Sequence, residues 1–290
     1  MTKAYRGRFA PSPTGRLHAG SLLAALGSWL DARAHEGAWV VRVEDIDPFR
    51  DIPGAGEAIV ETLKAFGLES DEPVLWQHDR MDEYRKAIRK LVDEGKAFPC
   101  ACSRRDVIAW HVIHGGDPAV YPGTCRNGTH GRTAHSVRFR VDREPVSFTD
   151  RRLGFLEQNL EEVLGDFVIQ RGDGLPAYQL AVVLDDGFQG ITDVIRGEDL
   201  FDNTPRQIAL QRGLGLPTPR YLHLPLVLND RGEKLSKQGG ATPVDAGRPL
   251  EELGCAWARL GFPALGADSV GAFFREALLL WKERWDGAGA

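Results

Sequence analysis

The first hundred residues alternate short apolar runs with longer amphipathic stretches. Residues 5–10 and 39–44 predict two strands, and the adjacent valines in the second strand are typical of a buried position. Residues 18–35 predict a helix between these strands. The order strand, helix, strand predicts an α/β fold in which helices cover a parallel sheet.

Two further helices are predicted from apolar residues that recur at helical spacing. They cover residues 54–66 and 81–94, and each ends at a glycine. The apolar positions are Ile59, Val60, Leu63 and Phe66 in the first helix, and Met81, Tyr84, Ile88, Leu91 and Val92 in the second. Both helices are therefore expected to face the core.

The pattern changes at about residue 98. From Cys100 to Arg152 there are nine arginines and five acidic residues, a local excess of four positive charges in a chain with a net charge of −5. Glycine and proline interrupt this stretch, and Val137–Val141 predicts a short strand within it. We predict an inserted subdomain over residues 98–165. Its basicity favours contact with a polyanion, and a plain solvated face is the alternative.

The α/β pattern resumes at Asp166. Residues 167–170 and 191–196 predict strands, and residues 177–184 and 204–212 predict helices. The chain therefore divides into an α/β domain (1–97 and 166–245), the insertion, and a C-terminal helical segment (246–290). One face of that segment carries Val270, Phe273, Phe274, Ala277 and Trp281.

Composition limits the protein classes that remain. With 42% hydrophobic residues, a moderate share of glycine and proline and a mildly acidic balance, the 290-residue chain is neither a uniformly basic nucleic-acid coat nor a low-complexity or fibrous protein. Four cysteines do not make a disulfide scaffold. The apolar runs are too short to span a bilayer, and no signal peptide is evident. We expect a soluble, cytoplasmic protein with no membrane contact and no obligate protein partner.

The most informative run is RFAPSPTGRLHAGS, residues 8–21. It predicts a strand end, a rigid proline-containing turn and a helix N-terminus, where unpaired N–H groups favour phosphate. Gly20 would allow a nucleotide close to the backbone, and His18 could donate a hydrogen bond to a phosphate oxygen. The alternative for His18 is a simple helix cap.

A second run, Lys234-Leu235-Ser236-Lys237-Gln238, lies between glycines. Two lysines in a polar loop can neutralise a triphosphate. Alone, this run would be an ordinary surface loop.

Together and in this order, the two runs resemble the HIGH and KMSKS signatures of class I aminoacyl-tRNA synthetases, spelled here HAGS and KLSKQ. The departures are Ala19, Ser21 and Gln238. RFAPSPTG, VEDID (43–47) and the segments 166–186, 190–200 and 203–215 resemble the glutamyl-tRNA synthetase catalytic domain. The resemblance implies a Rossmann-like catalytic domain and an acceptor-like insertion.

About 45 residues follow residue 245, too few for the helical anticodon-binding domain of a full glutamyl-tRNA synthetase. In this respect the chain is similar to a short paralogous branch of the family. The resemblance implies that it activates glutamate with ATP without tRNA. It would then place the glutamate on the queuosine base in the anticodon of tRNA(Asp).

A glutamate pocket needs two cations and one anion, because the substrate has two carboxylates and one ammonium. The resemblance assigns Arg8 and Arg196 as the cations and Glu44 as the partner of the ammonium, and these are joined in the pocket wall by Ala10, Ser12 and Tyr178. Salt bridges from the arginines to acids such as Glu198 are the alternative.

Activation would be attack of the α-carboxylate on the α-phosphate, which needs positioning and charge neutralisation. His18 and Lys237, supported by Lys234, are the candidate catalytic residues, and His18, Gly20 and Lys237 the candidate ATP-binding residues. Mg²⁺ would arrive with ATP.

Cys100, Cys102 and Cys125 offer three thiolates, and tetrahedral zinc needs a fourth ligand. Ligand chemistry alone favours His114, whereas resemblance to zinc-bearing members of the family points to Tyr121. The zinc would be structural and would stabilise the insertion; free thiols without metal are the alternative. Cys255 is predicted to be a buried small residue of the C-terminal helices.

Two rival functions remain at this point. One is a truncated synthetase that charges the 3′ end of tRNA. The other is a catalytically silent RNA-binding paralogue, against which the intact His18, Lys234, Lys237, Arg8, Glu44 and Arg196 argue.

Overall fold

The computed structural model describes residues 4–226 and 242–285. In the order of the chain, its strands are β1 Arg6–Phe9, β2 Ala38–Val43, β3 Leu75–Trp76, β4 Ala97–Cys100, β5 Ser136–Phe139, β6 Val146–Asp150, β7 Gly154–Gln158, β8 Phe167–Gln170, β9 Asp193–Gly197 and β10 Arg220–Leu224. Its helices are α1 Ala19–Ala34, α2 Ala55–Ala65, α3 Met81–Asp93, α4 Arg104–His114, α5 Leu160–Val163, α6 Tyr178–Phe188, α7 Thr204–Leu214, α8 Pro249–Arg259 and α9 Val270–Trp285. Each strand and helix predicted by the hydrophobic pattern is present, with ends displaced by a few residues.

Two parallel strand groups form the centre of the fold. In one, β1, β2 and β3 pair in that order. In the other, β9, β10 and β6 pair in parallel, and β7 adds an antiparallel edge. The groups meet where β9 begins beside β1: the N–H of Thr192 donates to the Arg6 carbonyl at 2.9 Å, and the N–H of Arg6 donates to Thr192 Oγ1 at 2.8 Å. The predicted parallel sheet is confirmed.

Helix α1 is the centre of the larger apolar core. Leu22, Leu26 and Leu30 are fully buried on it, against residues of β1, β10, α8 and α9. Gly27 permits this close packing, because a Cβ there would lie 2.5 Å from Leu224 Cδ1. The C-terminal helices therefore pack on the same core as the sheet.

The apolar faces predicted for the amphipathic helices are confirmed at their central positions. Tyr84, Ile88 and Leu91 of α3 are buried, as are Phe273, Ala277 and Trp281 of α9. The prediction for Cys255 is wrong, because its side chain is exposed. Helix α8 buries Leu253, Ala256 and Trp257, and this helical spacing places position 255 on the opposite face.

The region 98–165 contributes to two sheets. Strand β5, which confirms the strand predicted there, pairs antiparallel with β4 and β8. Strand β6 instead joins the central sheet beside β10. The boundaries of the inserted subdomain, residues 98 and 165, stay a prediction.

A buried carboxylate connects distant parts of the fold. Asp31 on α1 is fully buried and accepts hydrogen bonds from Tyr5 Oη (2.5 Å), Trp281 Nε1 (2.9 Å) and both terminal nitrogens of Arg151 (2.6 and 3.0 Å). These donors come from the segment before β1, from α9 and from the turn after β6. Their shared acceptor therefore fixes the relative positions of three chain segments.

Among the described residues, no helix has the length and apolarity needed to cross a lipid bilayer.

Candidate functional site

The candidate site lies at the carboxyl ends of the central strands. Ligands of open α/β sheets bind at this edge, where neighbouring strands lead to helices on opposite faces. Arg8 is in the second half of β1, Glu44 follows β2, Arg196 is near the end of β9, and His223 is near the end of β10. The topology therefore brings together residues separated by as many as 215 positions.

A buried ionic cluster occupies the β1–β2 side of this edge. Arg42 Nη2 donates to Asp186 Oδ1 at 2.8 Å and to Glu44 Oε1 at 3.3 Å. Arg8 Nε donates to the same oxygen of Asp186 at 3.3 Å, and its Nη1 reaches the Ile195 carbonyl at 3.5 Å. Arg8 therefore keeps N–H groups beyond those used by these contacts.

Glu44 is buried beside this cluster, 7% exposed. Burial raises the pKa of its carboxyl to about 7, although Arg42 and Arg8 act in the opposite direction. Burial also acts to raise the pKa of Asp186, but Arg42 and Arg8 outweigh it, and that pKa is lowered. The Asp186 carboxylate is thus the fixed counter-charge of the two arginines, and Glu44 is the group whose charge varies near neutral pH.

Arg196 is a buried cation with neutral partners. Its Nε donates to His223 Nε2 at 3.0 Å and its Nη1 to Gln207 Oε1 at 2.7 Å. Its Nη2 donates to Thr204 Oγ1 at 2.8 Å and to the Leu200 carbonyl at 3.2 Å. Burial lowers the pKa of Arg196, and Arg8 contributes in the same direction.

The salt-bridge alternative therefore holds for one arginine and fails for the other. Arg8 pairs with Asp186. Within the described part of the chain, Arg196 has no ion-pair partner, and Glu198 pairs with Arg152 instead. An unbalanced buried guanidinium favours an anionic ligand.

His223 and Asp150 lie directly behind Arg196. Asp150 Oδ2 accepts from His223 Nδ1 at 2.7 Å and from the His223 backbone N–H at 3.0 Å. Burial lowers the pKa of His223, which favours the neutral ring. Both residues are buried, in the last residue of β6 and in β10.

The other predicted pocket residues, Ala10, Ser12 and Tyr178, lie near Glu44. The backbone N–H of Glu44 donates to the Pro11 carbonyl at 2.9 Å. Ala10 and Ser12 flank Pro11 in the chain and therefore lie near Glu44. Tyr178 begins α6 and is 36% exposed. The hydroxyl end of the side chain is nevertheless buried; this burial raises the pKa of the hydroxyl, and the Glu44 carboxylate adds to the effect. The residues predicted as a glutamate pocket are thus gathered at one edge of the sheet.

His18 is the N-cap of α1. Its Nδ1 accepts from the backbone N–H of Ser21 at 3.3 Å, and its Nε2 lies 3.1 Å from Ser21 Oγ. Gly20 is half-buried in the first turn. Pro243 forms an antiparallel bridge with His18. The other two predicted catalytic residues, Lys234 and Lys237, lie outside the described residues.

Cys100, Cys102 and Cys125 form a buried cluster whose sulfur atoms all lie within 4.8 Å of one another. Tetrahedral zinc with bonds of about 2.3 Å separates its sulfur ligands by roughly 3.8 Å, so the cluster has the right size. Gly165 permits the packing of this loop, since its φ is +67° and a Cβ would lie 2.2 Å from the Tyr121 carbonyl oxygen.

The Tyr121 hydroxyl belongs to the same cluster. It lies 3.4 Å from Cys100 Sγ and 3.8 Å from Cys102 Sγ, and it accepts from the Cys125 N–H at 2.9 Å. His114 instead stacks on Trp110 at the end of the exposed helix α4. The arrangement favours Tyr121 over His114 as a fourth ligand.

Most arginines of the predicted basic insertion make contacts within the protein. Those with hydrogen-bond partners are Arg126, Arg132, Arg138, Arg140, Arg143, Arg151 and Arg152. Arg104 and Arg105 are exposed on α4. The local excess of charge is therefore mainly structural, and its contact with a polyanion stays a prediction.

Several residues of the site were not predicted from the sequence, among them Arg42, Asp186, His223 and Asp150. Arg42 could have been found, because it is a single charge inside the apolar strand AWVVRV. Asp186 sits next to Asp185 in an apolar helix, which is a comparable signal. His223 gave no local signal, because its partners Asp150 and Arg196 are 73 and 27 positions away.

Residues 4–254 match the family model described as tRNA synthetases class I (E and Q), catalytic domain. The chain is 50% identical to the glutamyl-Q tRNA(Asp) synthetase of Albidiferax ferrireducens, over 99% of this chain and 100% of that protein. It is 52% identical to the protein of that name from Leptothrix cholodnii, over 98% and 99% of the two chains.

A crystal structure of a glutamate tRNA ligase from Elizabethkingia meningosepticum, in complex with its amino acid, superposes with a TM-score of 0.71 at 29% identity. The match covers 82% of this chain and 53% of that chain. The present chain thus corresponds to about half of that ligase.

Proposed function

The chain belongs to the class I tRNA synthetase (E and Q) family, in the branch of the glutamyl-Q tRNA(Asp) synthetases, and from this premise we propose its reaction. It activates L-glutamate with ATP, without tRNA, to glutamyl-adenylate. It then transfers the glutamyl group to the queuosine base in the anticodon of tRNA(Asp). The proposed acceptor is supported by the near full-length identity to relatives of that name.

One observation carries the amino-acid specificity: Arg196 is a buried guanidinium whose described partners are all neutral. A substrate carboxylate supplies the missing negative charge. Arg8 receives the second carboxylate through the N–H groups not used by Asp186, and ionised Glu44 accepts the ammonium. Ala10, Ser12 and Tyr178 form the wall. Glutamine leaves one arginine without an anion, so it binds poorly.

Activation needs no protein nucleophile. An oxygen of the α-carboxylate attacks the α-phosphorus, the bond to the bridging oxygen of the β-phosphate breaks, and pyrophosphate leaves with the electron pair. His18 donates a hydrogen bond to the phosphate oxygens at the N-terminus of α1. Gly20 has no side chain, so it allows the nucleotide to lie close to the backbone there. Lys237 and Lys234 neutralise the developing charge, and Mg²⁺ accompanies ATP.

The cysteine cluster is proposed as a structural zinc site held by Cys100, Cys102, Cys125 and Tyr121. Zinc there would replace an apolar core in a loop-rich region and would take no part in the reaction. The reduced thiols also fit a cytoplasmic location.

Amino-acid-dependent exchange of pyrophosphate into ATP, measured without tRNA, tests the activation step. Glutamate should support exchange, whereas glutamine and aspartate should not at equal concentration. The variant Arg196→Ala should raise the KM for glutamate and leave the KM for ATP nearly unchanged. Absence of glutamate-dependent exchange in the unmodified protein would refute the proposed activation.

A further inference from the structure

We propose that Asp150 and His223 are positioning residues that set the orientation of Arg196 and thereby the affinity for glutamate. His223 acts through the Arg196 guanidinium, which it contacts, and Asp150 acts through His223. The inference rests on the proposed function, because it assigns these residues to the same amino-acid pocket.

The carboxylate of Asp150 is 2% exposed and accepts four hydrogen bonds. Its Oδ1 accepts from the backbone N–H groups of Arg152 (3.0 Å) and Leu153 (2.9 Å). Its Oδ2 accepts from the His223 backbone N–H and from Nδ1. Burial acts to raise the pKa of Asp150, but these hydrogen bonds outweigh it and lower the pKa. The group is a fixed, ionised acceptor.

The Asp150 carboxylate determines the tautomer of His223. Because ionised Asp150 can only accept, Nδ1 of the ring carries the proton. In the neutral ring Nε2 then has a free lone pair, and it accepts from Arg196 Nε at 3.0 Å. A proton on Nε2 would face the N–H of Arg196, so the opposite tautomer and the charged ring both break this contact.

Four hydrogen-bond acceptors set the orientation of the Arg196 guanidinium. His223, Gln207, Thr204 and the Leu200 carbonyl use four of the five N–H groups of Arg196. One N–H on Nη1 remains for a ligand, and among the described residues no carboxylate contacts the guanidinium. Four neutral acceptors thus fix the plane of the guanidinium without forming an ion pair with it, and among these four the chemical state of His223 depends on another residue, Asp150.

Asp150→Asn is the most direct perturbation. The amide is isosteric, but its NH₂ can donate to Nδ1 and stabilise the tautomer with the proton on Nε2. Pyrophosphate exchange should then show a KM for glutamate raised about tenfold or more, since a buried charged donor loses its acceptor. The KM for ATP should change little, and selectivity for glutamate over glutamine should fall.

Asp193→Asn is the matched control. Asp193 is buried in the same sheet, at the start of β9, and pairs with Arg220 and Thr192 away from the pocket. It should lower the melting temperature as much as Asp150→Asn does, with an unchanged KM for glutamate. Should Asp150→Asn fold poorly, a pair at position 223 gives the same information.

In that pair, His223→Gln retains a carbonyl oxygen toward Arg196 and an NH₂ toward Asp150, so it should preserve glutamate affinity. His223→Leu removes the acceptor and should raise the KM for glutamate. The inference is overturned if Asp150→Asn and Asp193→Asn have equal KM values for glutamate, or if His223→Gln is no better than His223→Leu. If Arg196→Ala leaves the KM for glutamate unchanged, the proposed pocket itself fails.

Discussion

Glutamate binding should depend on pH through Glu44. The carboxyl is buried, and its pKa is raised from 4.5 to about 7, chiefly by burial. The proposed contact with the substrate ammonium needs the ionised form. One pH unit below the pKa only about a tenth of the groups are ionised, so kcat/KM for glutamate should fall about tenfold per unit below pH 6.

The assay is glutamate-dependent pyrophosphate exchange from pH 5.5 to 8.5, in which free glutamate keeps its ammonium and both carboxylates. Glu44→Gln should have a low kcat/KM for glutamate at pH 8 and should lose the rise between pH 6 and 7.5. A flat profile in the unmodified protein, or a Glu44→Gln variant that binds glutamate normally at pH 8, would refute this role for Glu44.

The raised pKa of Glu44 should also affect stability: the free energy of unfolding should fall with rising pH, whereas glutamate binding should improve. Between about pH 4.5 and 7 the folded protein binds more protons at Glu44 than the unfolded chain does. The free energy of unfolding should therefore fall as the pH rises through this range, by an amount on the order of 3 kcal/mol at most. Glu44→Gln should remove this part of the pH dependence, which chemical denaturation at pH 5 and pH 8 would measure.

Three further predictions concern the metal cluster, the helix N-terminus and the fold. Protein purified without chelators should contain about one zinc per chain by elemental analysis; Cys102→Ser should lose it and His114→Ala should retain it, and a metal-free unmodified protein would exclude the site. His18→Ala should lower kcat for exchange by about a hundredfold with a small change in the KM for glutamate, and unchanged kcat would remove His18 from the mechanism. Asp31→Asn should lower the free energy of unfolding by about 3 kcal/mol, because Arg151 loses its buried carboxylate, while the KM for glutamate stays normal; an equally stable variant would contradict the connecting role of Asp31.

The helices and strands were predictable from the sequence where their apolar residues recur at a regular spacing. Helix α3 could be placed because Tyr84, Ile88 and Leu91 recur at helical spacing and are buried together. Cys255 in helix α8 was not predictable in this way: the apolar composition of the segment suggested a buried side chain, whereas only the phase of the helix decides which face meets the core.

The candidate site divides in the same way. Arg8, Glu44 and Arg196 could be assigned because each lies in a run of residues that resembles a known motif. The hydrogen bonds that tune them could not, because Asp186 is 178 positions from Arg8 and Asp150 is 73 from His223. Such pairs depend on strand order, and no periodic pattern records which strands become neighbours.

The central claim is tested most directly by transfer of labelled glutamate to two tRNA pools, one from normal cells and one from cells unable to make queuosine. We expect label on the queuosine-bearing pool alone, with ATP required. Equal labelling of both pools would mean charging of the 3′ end and would contradict the proposed modification of the anticodon base.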